Sequence, residues 1–104
     1  MTKAAAKNTE PTGLPVLVTT EFRAVFFGYF KSRDESSVIL TNARNCIYWS
    51  VQTGGFSGLA TVGPQEGSLI GERIAAIELF RVTSIADCTP AAVAVWEAAN
   101  VHRG

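Results

Sequence analysis

The period at which apolar and polar positions alternate changes several times along the chain, and each change marks an element. Val16-Leu17-Val18-Thr19-Thr20 is a compact β-branched run and predicts a first strand. Phe22 to Phe30 predicts a second, dense in aromatics. The polar turn Lys31 to Ser36 leads back into Ser37-Val38-Ile39-Leu40-Thr41, a third strand in hairpin relation to the second. Ala43 to Val51 predicts a fourth after a very short connection, which favours a meander. From Thr53 to Gly71 glycines punctuate a weakly apolar stretch, read as a long excursion with one helical turn near Phe56 to Thr61. Ile74 to Ser84 restores a strand pattern. Thr89-Pro90 then sets a cap residue before proline at the first helical position, and Ala91 to Ala99 predicts a helix with Ala92, Val93 and Trp96 on one face, packed across the sheet. Met1 to Gly13 lacks large apolar residues and reads as a flexible tail; residues 14–104 read as a single β-rich domain. The expected fold class is α+β, mostly β: a small antiparallel meander sheet or partly open barrel, with a long Gly-rich loop and one C-terminal helix.

Composition narrows the function classes. A hydrophobic share of 47% and a charged share of 17% place the 104 residues in the globular range. The formal net charge of zero leaves no electrostatic footprint for duplex nucleic acid or an anionic membrane. Cys46 and Cys88 make neither a disulfide framework nor a zinc site, and His102 stands alone, so no metal or cofactor is expected. With no bilayer-length apolar run and no secretory h-region, the expected location is the cytoplasm.

Candidate chemistry concentrates in Asn42 to Ser50, which carries an arginine, a tyrosine and a tryptophan within one strand. Alternation puts Arg44, Cys46, Tyr48 and Ser50 on one face and Asn45, Ile47, Trp49 and Val51 on the other. Ile47 and Trp49 are expected in the core, with Arg44 and Tyr48 outward. Tyr48 suits either a half-buried position with its hydroxyl at the surface or a ligand or subunit contact. Past the first dozen residues Lys31 is the only lysine against six arginines, a bias that fits phosphate contacts and stacking as well as partly buried ion pairs. The second strand is hydrophobic on both faces. One helix covers one of them, so a second copy of the chain is the expected cover for the other. Gly58 to Gly63 has the interval of a Walker-type loop, but Pro64 and Gln65 occupy the places of the lysine and the Ser/Thr, so the motif fails. Backbone N–H groups near Gly67 and Ser68 remain as an anion nest, beside the reading of an ordinary loop. No Ser/His/acid or Cys/His set is available, and a non-enzyme is expected.

Val16 to Gly28, Asn42 to Ser50, Leu59-Ala60 with Gly63-Pro64, and Cys88-Thr89-Pro90 with Ala92-Val93 and Trp96-Glu97 resemble a widespread family of small, poorly characterised bacteriophage-encoded domains. Phages encode compact β-rich oligomers that act as sponges, sequestering cyclic nucleotide signals of bacterial immune systems such as CBASS and Thoeris without cleaving them. The resemblance implies an immune-evasion protein of this kind in the host bacterial cytoplasm, a homo-oligomer with a small-molecule nucleotide signal as partner. The site residues expected from alternation are Tyr48 to stack on a base, Arg44 and Arg23 to contact phosphate, and Gly67-Ser68 to close over the ligand. A small virion structural or assembly protein, or a proteinaceous inhibitor of a host enzyme, is the alternative.

Overall fold

A computed structural model describes residues 13–102. The expected tail lies outside these residues except for Gly13, whose amide donates to the Phe30 carbonyl (2.8 Å). The elements are β1 (Pro15–Thr20), β2 (Val25–Arg33), β3 (Val38–Tyr48), a single 3₁₀ turn (Val51–Thr53), α1 (Gly55–Thr61), β4 (Leu69–Leu79), β5 (Val82–Asp87) and α2 (Pro90–Ala98). All strand pairs are antiparallel, in the order β4-β3-β2-β1-β5. The architecture is mostly-β α+β: an open five-stranded sheet with two short helices. No helix among the described residues is long and apolar enough to cross a membrane.

Several strand boundaries differ from the sequence expectation: β2 runs on to Arg33, β4 begins at Leu69 within the expected Gly-rich excursion, and three further differences fall at left-handed non-glycine residues. The second strand does not begin at Phe22. Arg23 has φ +65°, and the Thr20 hydroxyl accepts from the Phe22 amide (3.2 Å), which turns the chain before Val25. The expected third and fourth strands are one. Asn42, at φ +49°, sits inside β3 where its register against β2 shifts, a bulge rather than a connection. Ile74 to Ser84 is two strands, because Arg81 at φ +56° closes a tight turn after Phe80.

That turn decides the shape of the sheet. β4 and β5 are the two outer strands, yet only Phe80 and Arg81 separate them in the chain. Three Cα steps reach at most about 11 Å, whereas four flat inter-strand spacings amount to about 19 Å. The sheet must therefore curl until the end of β4 approaches the start of β5; at this end the Val82 amide donates to the Ser36 carbonyl of the β2–β3 turn (2.9 Å). Curling gives the domain two cores. On the concave side Val16 and Val18 pack with Val38, Leu40, Ala43 and Leu79, joined by Phe26 and Phe30. On the face of β2 expected to meet a second subunit, Phe26 and Phe30 are partly buried against this core.

The helices cover the other face around Leu17, Phe27, Leu59, Ile70 and Trp96. α2 starts as its sequence dictates: Pro90 occupies the first turn, and the Thr89 hydroxyl accepts from the Ala92 amide (3.0 Å). The same hydroxyl donates to the Thr61 carbonyl (2.6 Å), which ties α2 to α1. Between the helices Gly63 has φ +83°, and a Cβ there would stand 2.7 Å from Cβ of Val95. Trp96 is fully buried, stacked on Phe27 with centroids 5.1 Å apart and planes within 6°, and its indole N–H donates to the Leu59 carbonyl (3.0 Å).

Trp96→Ala is expected to cost about 3–5 kcal/mol by removing the centre of this core. Trp96→Phe keeps a ring on Phe27 but leaves the Leu59 carbonyl without its donor, an expected cost of about 1–3 kcal/mol. Urea denaturation of the two variants checks the ranking; equal costs would contradict it.

Candidate functional site

Three residues of β2 on the helix-covered face organise the surface. Val25 lines one groove, Phe27 stacks on Trp96, and Tyr29 lines a second groove.

The first groove, about 400 Å³, is formed by Arg23, Val25, Cys46, Ile47, Tyr48 and Trp49. It brings together Arg23 and Tyr48, two of the five residues expected at a site. Tyr48 is 51% exposed, and Trp49 packs against the helix-side core while still reaching the groove. Arg23 takes part in neither of the ion pairs found among the described residues, Arg73–Glu97 and Arg81–Glu21. Burial pushes the Cys46 thiol up to about 11, so it stays protonated at neutral pH.

The expected division of the Asn42–Ser50 strand holds for Tyr48 and Trp49 and fails for Arg44 and Ile47. Ile47 is 49% exposed, whereas Arg44 is 2% exposed. Arg44 and Cys46 share a face as alternation requires, but that face, expected outward, is the one the helices cover. Leu40 and Ala43, three residues apart, both enter the concave core, so side-chain parity flips at the bulge between them. A second register irregularity, between Cys46 and Tyr48, then releases Tyr48 to the surface. Arg44 spends its donors on backbone: Nε on Gly71 O (3.1 Å), and Nη1 on both Trp96 O and Ala99 O (2.8 Å each). Burial, then the charge of Arg73, lowers its pKa.

Gly67 and Ser68 lie against Ser50 rather than in the groove lining. The Ser68 amide donates to Gln65 O (3.0 Å), while its hydroxyl accepts from the Ser50 amide (3.0 Å) and lies 3.2 Å from the Thr53 hydroxyl. Gly67 has φ +95°, and a Cβ there would come within 3.3 Å of Cβ of Ser50. The Ser68 hydroxyl therefore ties the loop to the residue that follows β3, and its amide is spent on Gln65 within the loop rather than left open to an anion.

The second groove, about 490 Å³, was not foreseen. Gly13, Tyr29, Thr41, Asn42, Arg73 and Glu97 line it. Glu97 accepts from the Tyr29 hydroxyl and pairs with Arg73, whose Nη1 also donates to Asn42 O (3.3 Å). Burial alone would raise the Glu97 carboxyl, but hydrogen bonds from Tyr29 and Arg73, with the charges of Arg73 and Arg44, outweigh it and hold the group below its ordinary value. Burial and then the Glu97 hydrogen bond push the Tyr29 hydroxyl up to about 12. One signal for this cluster was in the sequence: a carboxylate near the C-terminal end of a helix opposes the helix dipole and calls for a cationic partner.

Residues 13–96 match the family model described as a domain of unknown function, DUF6948, and the chain belongs to that family. No curated protein and no solved structure matches the chain.

The cluster has a pH signature. Glu97, depressed in the folded state, contributes stability that is present above its ordinary pKa and lost as pH falls through its own lower value. Tyr29, raised from 10.0 to about 12, contributes stability fully present below pH 10 and lost as pH rises through that higher value. The urea midpoint is expected to decline on both sides of this window. Glu97→Gln should flatten the acid limb, and an unchanged acid slope would contradict the assignment.

Proposed function

We propose that this DUF6948 protein is a non-catalytic binding domain that takes a planar, anionic ligand of the nucleotide class into the Arg23–Tyr48–Trp49 groove and holds it intact. The observation that carries the reading is the convergence of Arg23, from the β1–β2 turn, and Tyr48, from the end of β3, on one groove beside a second aromatic ring. Base-on-aromatic stacking contributes about 1–3 kcal/mol per base and tolerates different bases. An arginine in neither of the identified ion pairs supplies charge-assisted contacts to phosphate. The lining offers no carboxylate or imidazole to act as a general base, and its one thiol is protonated. Such a groove retains a ligand rather than hydrolysing it. In an infected bacterium this would be sequestration of a cyclic oligonucleotide immune signal by a phage-encoded sponge.

A second reading has its own observation. Ile47 of the groove, and Phe22 and Val51 close to groove residues in sequence, are apolar and 49%, 70% and 91% exposed. Exposed apolar residues around an aromatic groove also suit docking to another protein, as in virion assembly or inhibition of a host enzyme.

Titrating the protein with a panel of cyclic di- and trinucleotides while following tryptophan fluorescence, with Trp49→Phe to identify the contribution of the groove, tests the first reading. Saturable quenching is expected, with the ligand recovered unchanged after denaturation. Tyr48→Ala should weaken binding about tenfold or more, and Arg23→Gln should weaken it and reduce its salt dependence. No response to any member of the panel would overturn the reading. A null titration together with a protein complex abolished by Ile47→Asp would establish the second.

A further inference from the structure

Across the Trp96–Phe27 stack from the nucleotide groove, the Tyr29–Glu97–Arg73 groove holds chemistry that the proposed function leaves unused. Its central oddity is electrostatic. Arg44 and Arg73 are direct cross-strand partners on β3 and β4. Like charges in that relation repel and destabilise a ladder. Glu97 is the carboxylate whose charge acts on both guanidinium groups, and it also accepts a hydrogen bond from neutral Tyr29. Two cations thus share one anion, and Arg44, fully buried, keeps an Nη2 with no hydrogen-bond partner.

The rest of the lining is rich in donors. Thr41 brings a hydroxyl and Asn42 a carboxamide, while Arg73 has N–H groups beyond those given to Glu97 and Asn42 O. Asn42 is held at φ +49°, a conformation that side-chain-bearing residues rarely adopt and that gathers at functional sites. Arg73 and Glu97 balance in the lining, so the uncompensated positive charge is that of Arg44 buried behind it, while the unspent donors of Thr41, Asn42 and Arg73 face the groove.

We infer that this groove binds a small oxyanion, the phosphate or carboxylate group of a ligand, through Arg73, Thr41 and Asn42, and that the bound anion supplies the negative charge the Arg44–Arg73 pair lacks. Arg73 makes the charge-assisted contact. Arg44 does not touch the ligand and acts only through its field. The site is separable from the nucleotide groove, since Val25 and Tyr29 stand about 13 Å apart along β2.

Amide chemical shifts of the full chain, followed during titration with inorganic phosphate, with acetate, and with chloride at matched ionic strength, test the inference. Saturable shifts at Tyr29, Thr41, Asn42, Arg73 and Glu97 are expected with phosphate or acetate and not with chloride. Saturation by phosphate alone assigns a phosphate group; saturation by both admits a carboxylate. Asn42→Gly suits the left-handed backbone and removes the carboxamide, and it should weaken binding about fivefold to tenfold. Arg73→Gln should abolish binding; if that variant does not fold, the Asn42→Gly result stands by itself. Shifts indistinguishable from those in chloride, or affinity unaltered in the folded variants, would overturn the inference.

Discussion

The guanidinium of Arg44 is the interaction on which the arrangement of this domain turns. An arginine withdrawn from water costs several kcal/mol unless its donors and charge are met. Here three carbonyls accept from its Nε and Nη1, one on β4 and two at the C-terminal end of α2, while Nη2 is left without a partner. The negative end of the helix dipole lies where the cation sits, and Glu97 adds a formal charge from the same helix. A planar fork can serve β4 and α2 together; a point-charge ammonium cannot. Fixing the end of α2 fixes Trp96 on Phe27, and that stack divides the helix-covered face into two grooves.

The second constraint is topological. A two-residue link between opposite edges of a five-stranded sheet leaves no flat solution, so the strands curl and bury their concave face within one chain. The dense aromatics of β2 follow from this. Phe27 belongs to the helix-side core, Phe26 and Phe30 to the concave one. Hydrophobicity on both faces of a strand signalled cover on both faces, and intramolecular curl supplies part of it, with Phe26 and Phe30 partly buried.

What the sequence revealed were the local signals. The Thr89-Pro90 start of α2 appears where it was expected, as does the helical turn near Phe56 to Thr61, because caps, proline and glycine act within a few residues. What it concealed were left-handed residues without glycine. Arg23 and Arg81 carry no compositional flag, and Asn42 only the weak one that asparagine tolerates the left-handed region, yet each of the three moves a strand boundary. Of the expected site, Arg23 and Tyr48 converge, Arg44 is turned inward, and Gly67 and Ser68 are held in a loop clamp. Tyr29, Arg73 and Glu97 come from three separate elements, and only tertiary structure brings them together.

The most direct measurement of this account is amide hydrogen exchange in Arg44→Lys, which keeps the charge and removes the planar fork. If Arg44 clamps the helix, amides in the last turns of α2 should lose protection by orders of magnitude while the β1–β2 ladder stays protected. Unchanged protection of α2 in that variant would contradict it.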